Sequence, residues 1–200
     1  MLLKIVQAGD PALRMRARDV RNDEIRSPET QRLIELMRET MRDAPGVGLA
    51  APQVGVNLRI AVIEDKQEYL RDLTEDEIAL RERVPVPFHV VVNPTIEVAD
   101  DLVEFAEGCL SVTGFTAVVG RARSVCVNCL NHAGEPKEIR ANGWYARILQ
   151  HEIDHLNGVL YVDRMYPQTF MTLENFKRNW KDVSPHEIRR RLGEASQQIE

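Results

Sequence analysis

His151-Glu152-Ile153-Asp154-His155 sets two imidazoles four positions apart with a carboxylate between them. An α-helix turns about 100° per residue, so side chains four apart lie on one face, about one turn apart. On such a face His151 and His155 can share one metal ion, with Glu152 beside them to handle the proton of a water on that ion. The chemistry is metal-assisted hydrolysis. A buried helix can also carry two histidines for packing alone, so the surroundings have to decide.

Those surroundings describe a helix. Asn142-Gly143 reads as its start and Asn157-Gly158 as its stop, where glycine takes the left-handed conformation cheaply. Leu149, Ile153 and Leu156 form one apolar stripe, while Trp144 and Ile148 lead along another face toward His151, Glu152 and His155. A helix apolar on one side and approaching two histidines on the other belongs at the centre of a domain.

Catalytic ions of this kind use three protein ligands and a water. A second carboxylate, another histidine or a thiolate could complete the set. Glu107-Gly108-Cys109-Leu110-Ser111 stands out because glycine beside cysteine permits close backbone approach, although a cysteine in an apolar setting serves packing as readily. Cys126-Val127-Asn128-Cys129, with His132 nearby, has the spacing of half a zinc ribbon and no second pair to close it. Residues three apart on a strand point to opposite faces, so these are expected as ordinary strand cysteines. Gly46-Val47-Gly48-Leu49-Ala50-Ala51-Pro52-Gln53-Val54-Gly55 lacks the Lys-Ser/Thr ending of a phosphate loop and reads as a weakly polar loop able to bind an extended peptide.

The remaining elements position these groups. Ser27 and Pro28 open a helix to Asp43 with Leu33, Leu36, Met37 and Met41 at helical spacing. Strands are predicted at Arg59–Glu64, His89–Asn93, Thr95–Val98 after a kink, Leu102–Phe105, Thr116–Val119, Ser124–Leu130, Lys137–Ala141 and Val159–Val162. Residues 65–85 read as an exposed excursion, and residues from Phe170 onward as partly helical, with Ser184-Pro185-His186-Glu187 as a capped start. The class is α+β, with antiparallel strands packed around a buried, ligand-bearing helix. Residues 1–165 are expected to form the catalytic part and 166–200 an extension of the same domain.

Two hundred residues suit a single domain, and 44% hydrophobic with 28% charged residues is ordinary for a soluble protein. A net charge of −5 argues against a general nucleic-acid binder, and the three cysteines do not suggest a disulfide framework. No stretch approaches the roughly 20 apolar residues of a membrane span. Asp19, Asp23 and Glu24 interrupt the early arginines, unlike an acid-poor transit peptide, so a cytoplasmic protein is expected.

Taken in order, Gly46 to Gln53, Glu107 to Ser111 and Gln150 to His155 resemble the three signatures of the peptide deformylase family, and the likeness runs from about residue 3 to 165. Gly143-Trp144-Tyr145-Ala146-Arg147 resembles the subclass shared by some bacteria and organelles, which leaves an organelle origin without its transit segment as the alternative location. Thr113 stands where proline is common, and the 65–85 excursion is longer than in many members. The resemblance implies removal of the formyl group from the N-terminal methionine of nascent polypeptides, by a monomer working near the ribosomal exit tunnel. It implies that Cys109, His151 and His155 hold one divalent ion, usually Fe(II), replaceable by nickel, cobalt or zinc. Glu152 is then the general acid/base, and Gln53 and the Leu110 amide polarise the formyl oxygen. Val47, Gly48, Trp144 and Ile148 would bind substrate, and Asp154, paired with Arg121, would orient the site. The rivals are a metallopeptidase using a downstream acid such as Glu174, and a metal-stabilised binding module. The latter has no use for Glu152 as a base.

Overall fold

A computed structural model describes residues 2–197. The described residues form six α-helices, α1 (Asn22–Ile25), α2 (Pro28–Asp43), α3 (Glu75–Leu80), α4 (Gly143–Leu156), α5 (Leu173–Asn179) and α6 (Pro185–Gln197), and two antiparallel sheets. The larger sheet has the order β1 (Gly48–Ala50), β2 (Ile60–Asp65), β3 (Val86–Val98), β6 (Ser124–Leu130), β7 (Pro136–Asn142). The smaller has the order β4 (Leu102–Cys109), β5 (Val112–Ala122), β8 (Met171–Thr172). The expected α+β class holds.

A strand alternates its side chains between two faces, so the unbroken apolar runs Ile60–Ile63 and Val90–Val92 require cover on both sides of the larger sheet. Ile60, Val62, Val90 and Val92 pack with Ile34, Met37 and Met41 of α2. Ile63, Val91, Val125 and Ile139 pack on the other face with Leu149 and Ile153 of α4. The opposite side of α4 reaches β5 of the smaller sheet, which puts the helix between the two.

Local signals set several bounds correctly. Ser27 Oγ accepts from Thr30 N at 3.2 Å and α2 ends at Asp43, as predicted. β6 runs from Ser124 to Leu130, as predicted. Gly158 (φ +75°) stops α4 in the left-handed region. Ser184 Oγ caps α6 through Glu187 N at 3.3 Å. Residues 198–200 of the expected extension lie outside the described residues.

Other expectations change. Val159–Val162 is not a strand: Leu160 N donates to Asp163 Oδ2 at 2.8 Å, and the backbone closes into a 3-10 turn over Tyr161–Asp163. The kink at Asn93-Pro94 is a bulge within one continuous strand, β3, with Asn93 at φ +48° bonded to both backbone groups of Val20. The short strands foreseen at Leu102 and Thr116 are a long hairpin paired from Leu102↔Ala122 to Cys109↔Val112. The register slips between Glu107↔Ala117 and Cys109↔Val112, and Gly108 and Gly114 (φ +85°) fall in that irregularity, where glycine is tolerated. The Gly46–Gly55 loop is ordered as edge strand β1 and a 3-10 turn over Ala51–Val54. Residues 65–85 are mostly exposed, as expected, with the short helix α3 among them, and a buried Asp65–Arg83 ion pair with two 2.8 Å bonds ties the segment down.

Candidate active site

Helix α4 supplies His151, Glu152 and His155, and the end of β4 supplies Cys109. Cys109 Sγ lies 3.3 Å from His155 Nε2, which faces His151 Nε2 at 3.1 Å. All three atoms fall within 4.8 Å of one another, the one such group found among the described residues. One sulfur and two imidazole nitrogens pointing at a common centre suit a four-coordinate divalent ion. The donors therefore fit a metal, and Glu152 beside them keeps a buried carboxylate oxygen, Oε2, that has no hydrogen-bond partner among the described residues. Burial pushes the Glu152 carboxyl up to about 7. Burial, and then the neighbouring His151, hold His155 well below the usual imidazole range.

Room for that carboxylate comes from a missing side chain. A Cβ on Gly48 would stand 2.6 Å from Glu152 Cδ and closer still to its Oε1, so only glycine at this point of β1 leaves the space. Gln53 is buried beneath: its Oε1 accepts from Ala50 N at 2.8 Å, and its Nε2 donates to Ser111 Oγ at 3.3 Å and faces Cys109 Sγ at 3.6 Å. Ser111 N donates to the same sulfur at 3.4 Å. Leu110 occupies the turn between β4 and β5 and lines the cavity.

That cavity, about 380 Å³, opens in front of the cluster. Val47, Gly48, Trp144 and Ile148 line it together with Gln53, Cys109, His151 and Glu152. Trp144 is held edge-on to Phe105 with ring centres 6.2 Å apart, and the guanidiniums of Arg81 and Arg83 lie over its ring at 5.1 and 5.3 Å.

Behind His151 runs a buried chain of charges. Its Nδ1 meets Glu107 Oε1 at 2.6 Å; an ionised carboxylate only accepts, so Nδ1 donates and Nε2 turns its lone pair toward the cluster. Glu107 also accepts from Arg121 at 2.6 Å and Arg147 at 2.8 Å. Arg121 pairs with Asp154, which takes two further 2.6 Å bonds from Arg164. Burial opposes the charge on Glu107, but the His151 bond and Arg121 hold its carboxyl far below the ordinary range. Burial lowers Arg147 to about 10.

The Arg121–Asp154 pairing was foreseen; its connection to His151 through Glu107, with Arg147 as a third cation, was not. A signal existed, because Glu107 and Cys109 are two apart on a strand and so share a face. Ser111 was missed as well. Cys126, Cys129 and His132 do not join the cluster, and Glu174 sits exposed on α5, paired with Arg178 at 2.6 Å.

The profile of the Polypeptide deformylase family matches residues 2–170. The chain is 49% identical over 172 residues to Peptide deformylase 1A, chloroplastic, of Solanum lycopersicum, covering 86% of this chain and 62% of that protein. It therefore spans less than two thirds of that relative's length. It is 45% identical to Peptide deformylase 3 of Streptomyces avermitilis, covering 96% of this chain and 84% of that protein. The crystal structure of a class I type b peptide deformylase from Acinetobacter baumannii with Met-Ala-Ser bound superposes with a TM-score of 0.73 at 34% identity, over 82% of this chain and 99% of that one.

Proposed function

The chain belongs to the polypeptide deformylase family, and on that premise we propose that it hydrolyses the N-formyl group from the first methionine of newly made polypeptides, releasing formate. The observation that carries this reading is the convergence of Cys109, His151 and His155 beside a buried Glu152. Cys109, His151 and His155 would hold one divalent ion, Fe(II) in the cell and replaceable by nickel, cobalt or zinc, which supplies Lewis acidity to the formyl carbonyl and to water.

The chain's own residues do the rest. Glu152 takes a proton from the attacking water as the water oxygen bonds to the formyl carbon. The same carboxyl returns that proton to the amine nitrogen as the C–N bond breaks, leaving formate and a free N-terminus. Gln53 Nε2 and the Leu110 amide donate to the formyl oxygen while it carries negative charge. Val47, Gly48, Trp144 and Ile148 hold the methionine, and Asp154 and Arg121 steady His151 through Glu107. An acetyl group adds a methyl at the crowded reacting carbon and is less electrophilic, so the site selects formyl.

Residues 1–165 act as the catalytic part and 166–200 as an extension of the same domain. The working unit is proposed to be a monomer. Its substrates emerge from the ribosome, which places it in the bacterial cytoplasm, where translation starts with formyl-methionine; plastid forms among the relatives keep an organelle as the alternative.

Anaerobically prepared, iron-loaded protein should release formate from formyl-Met-Ala-Ser and leave acetyl-Met-Ala-Ser and unmodified Met-Ala-Ser intact. Chelation should stop turnover and nickel or cobalt restore it, with the iron form losing activity faster in air because oxygen reaches the iron–thiolate pair. Comparable rates on the acetyl peptide, or cleavage of the unmodified one, would overturn the reading.

A further inference from the structure

The family match ends at residue 170, yet Leu173, beyond it, lines the active-site cavity. The segment that brings it there is bonded along β5. Tyr166 N donates to Val118 O at 3.0 Å, and the fully buried Thr169 accepts from Val118 N at 2.9 Å through its hydroxyl. β8 then pairs Thr172 with Phe115 and Met171 with Thr116. Thr172 caps α5 by accepting from Asn175 N at 3.2 Å, which makes Leu173 its first residue. Farther on, Arg189 of α6 pairs with Glu104 of β4 and lies 4.1 Å over the Tyr166 ring.

This anchoring assembles an apolar shelf on the cavity's β5 side. Phe115 and Phe170 stack with ring centres 5.0 Å apart and planes within 7°. Phe115, Phe170 and Leu173 are 38%, 41% and 39% exposed, so each leaves much of its apolar surface in water. Phe115 and Leu173 line the same cavity as Trp144 and Glu152. On the deformylase reading, methionine rests near Trp144 with the formyl carbonyl at Glu152, and Phe115 and Leu173 belong to the rest of the same cavity, which is open to the residues that follow. Covering the shelf with apolar side chains releases the water held there.

We propose that Phe115, Phe170 and Leu173 form a subsite for apolar side chains of the residues that follow methionine, so that the C-terminal extension sets a preference among nascent chains. The inference rests on the deformylase reading, which supplies methionine as the first residue in the cavity.

The test compares formyl-Met-Leu-Phe with formyl-Met-Ala-Ser on nickel-loaded enzyme, alongside calorimetric binding of the unformylated peptides Met-Leu-Phe and Met-Ala-Ser. Wild type should favour the apolar sequence by about 5- to 20-fold in kcat/KM, mostly through KM, as partial cover of two apolar side chains would give. Leu173→Ala and Phe170→Ala should each cut that ratio by several-fold, Leu173→Met should keep it, and Leu173→Lys should shift preference toward formyl-Met-Asp-Ala. Val98→Ala, an exposed apolar change on the other sheet, should leave the ratio alone. Should Phe170→Ala disturb the β5–β8 pairing, Leu173→Lys still decides, because Leu173 lies outside the paired residues Met171 and Thr172 and the change replaces apolar surface with charge at the rim. A ratio unmoved in the Leu173 variants, or equal binding of the two unformylated peptides by wild type, overturns the subsite. Absence of turnover with the binding preference intact overturns the deformylase reading alone.

Discussion

The two sides of α4 are built on opposite principles. Toward the five-stranded sheet it presents Ala146, Leu149 and Ile153, packed against Ile63, Val91, Val125 and Ile139. Toward the β4–β5 hairpin it presents Arg147, Gln150, His151 and Asp154, each bonded to named partners in that hairpin: Arg147 and His151 to Glu107, Asp154 to Arg121, and Gln150 to both backbone groups of Ala122. Apolar contact is non-directional and tolerant of rearrangement, and it stabilises in proportion to the area covered. Buried charges cost several kcal/mol each to desolvate and recover it only in one geometry. The apolar side holds the helix in place; the charged side fixes its rotation and the His151 ring.

If that division is correct, substitutions on the charged side should damage the chemistry more than the fold, and those on the apolar side the reverse. The largest effect is expected from Glu152→Ala. The variant should bind metal normally and lose about 10²–10⁴-fold in kcat, as removal of a general base does. Full metal occupancy with near-normal turnover would contradict the assignment.

Glu107→Gln comes next. It leaves Arg121 and Arg147 facing an amide in a buried site, and it weakens the acceptor that sets the His151 tautomer. Metal affinity measured against a competing chelator should fall by about 10–100-fold, and stability in urea by about 3–5 kcal/mol. Unchanged affinity would mean that the charge chain does not orient the ring.

On the apolar side, Leu149→Ala removes a fully buried side chain from the core. It should cost about 2–5 kcal/mol of stability, while the folded, metal-loaded fraction keeps a kcat within a few-fold of wild type. A collapse of kcat at full occupancy would show that packing, and not the charged face, sets the site geometry. The smallest effect is expected from Ser27→Ala, which deletes the α2 cap far along the chain from either face. About 1 kcal/mol of stability should be lost, with metal affinity and turnover unaffected.

Much of the site was legible in the residues because its central element is local. Two histidines four apart acquire a shared face from helix geometry alone, and the bounds of α4 follow from Asn142-Gly143 at one end and Gly158 at the other. The same holds for α2 with its Ser27-Pro28 opening, and for β6, whose alternation suffices. Cys109 was different. It is 46 residues from His155, and spacing left it level with other possible ligands until the family resemblance singled it out. Glu107 sat in a recognised motif two residues from Cys109, but that spacing does not name its partner, because the contact with His151 spans the gap between β4 and α4. The Val159–Val162 prediction failed for a related reason: four apolar residues satisfy a strand pattern, yet a strand needs a neighbour, and Asp163 captured Leu160 N first.

The sequence by itself determined whatever a few consecutive residues can enforce through backbone sterics and side-chain periodicity: the helix that sets His151 and His155 one turn apart with Glu152 between them, its two ends, and the antiparallel α+β class. Tertiary structure alone decided which thiol meets those histidines, which carboxylate bonds to His151, why residue 48 must lack a side chain, and how Leu173 comes to the cavity rim. Those are contacts between segments distant in the chain. Their free energy exists only once the ordering cost of bringing the segments together has been met by the whole core.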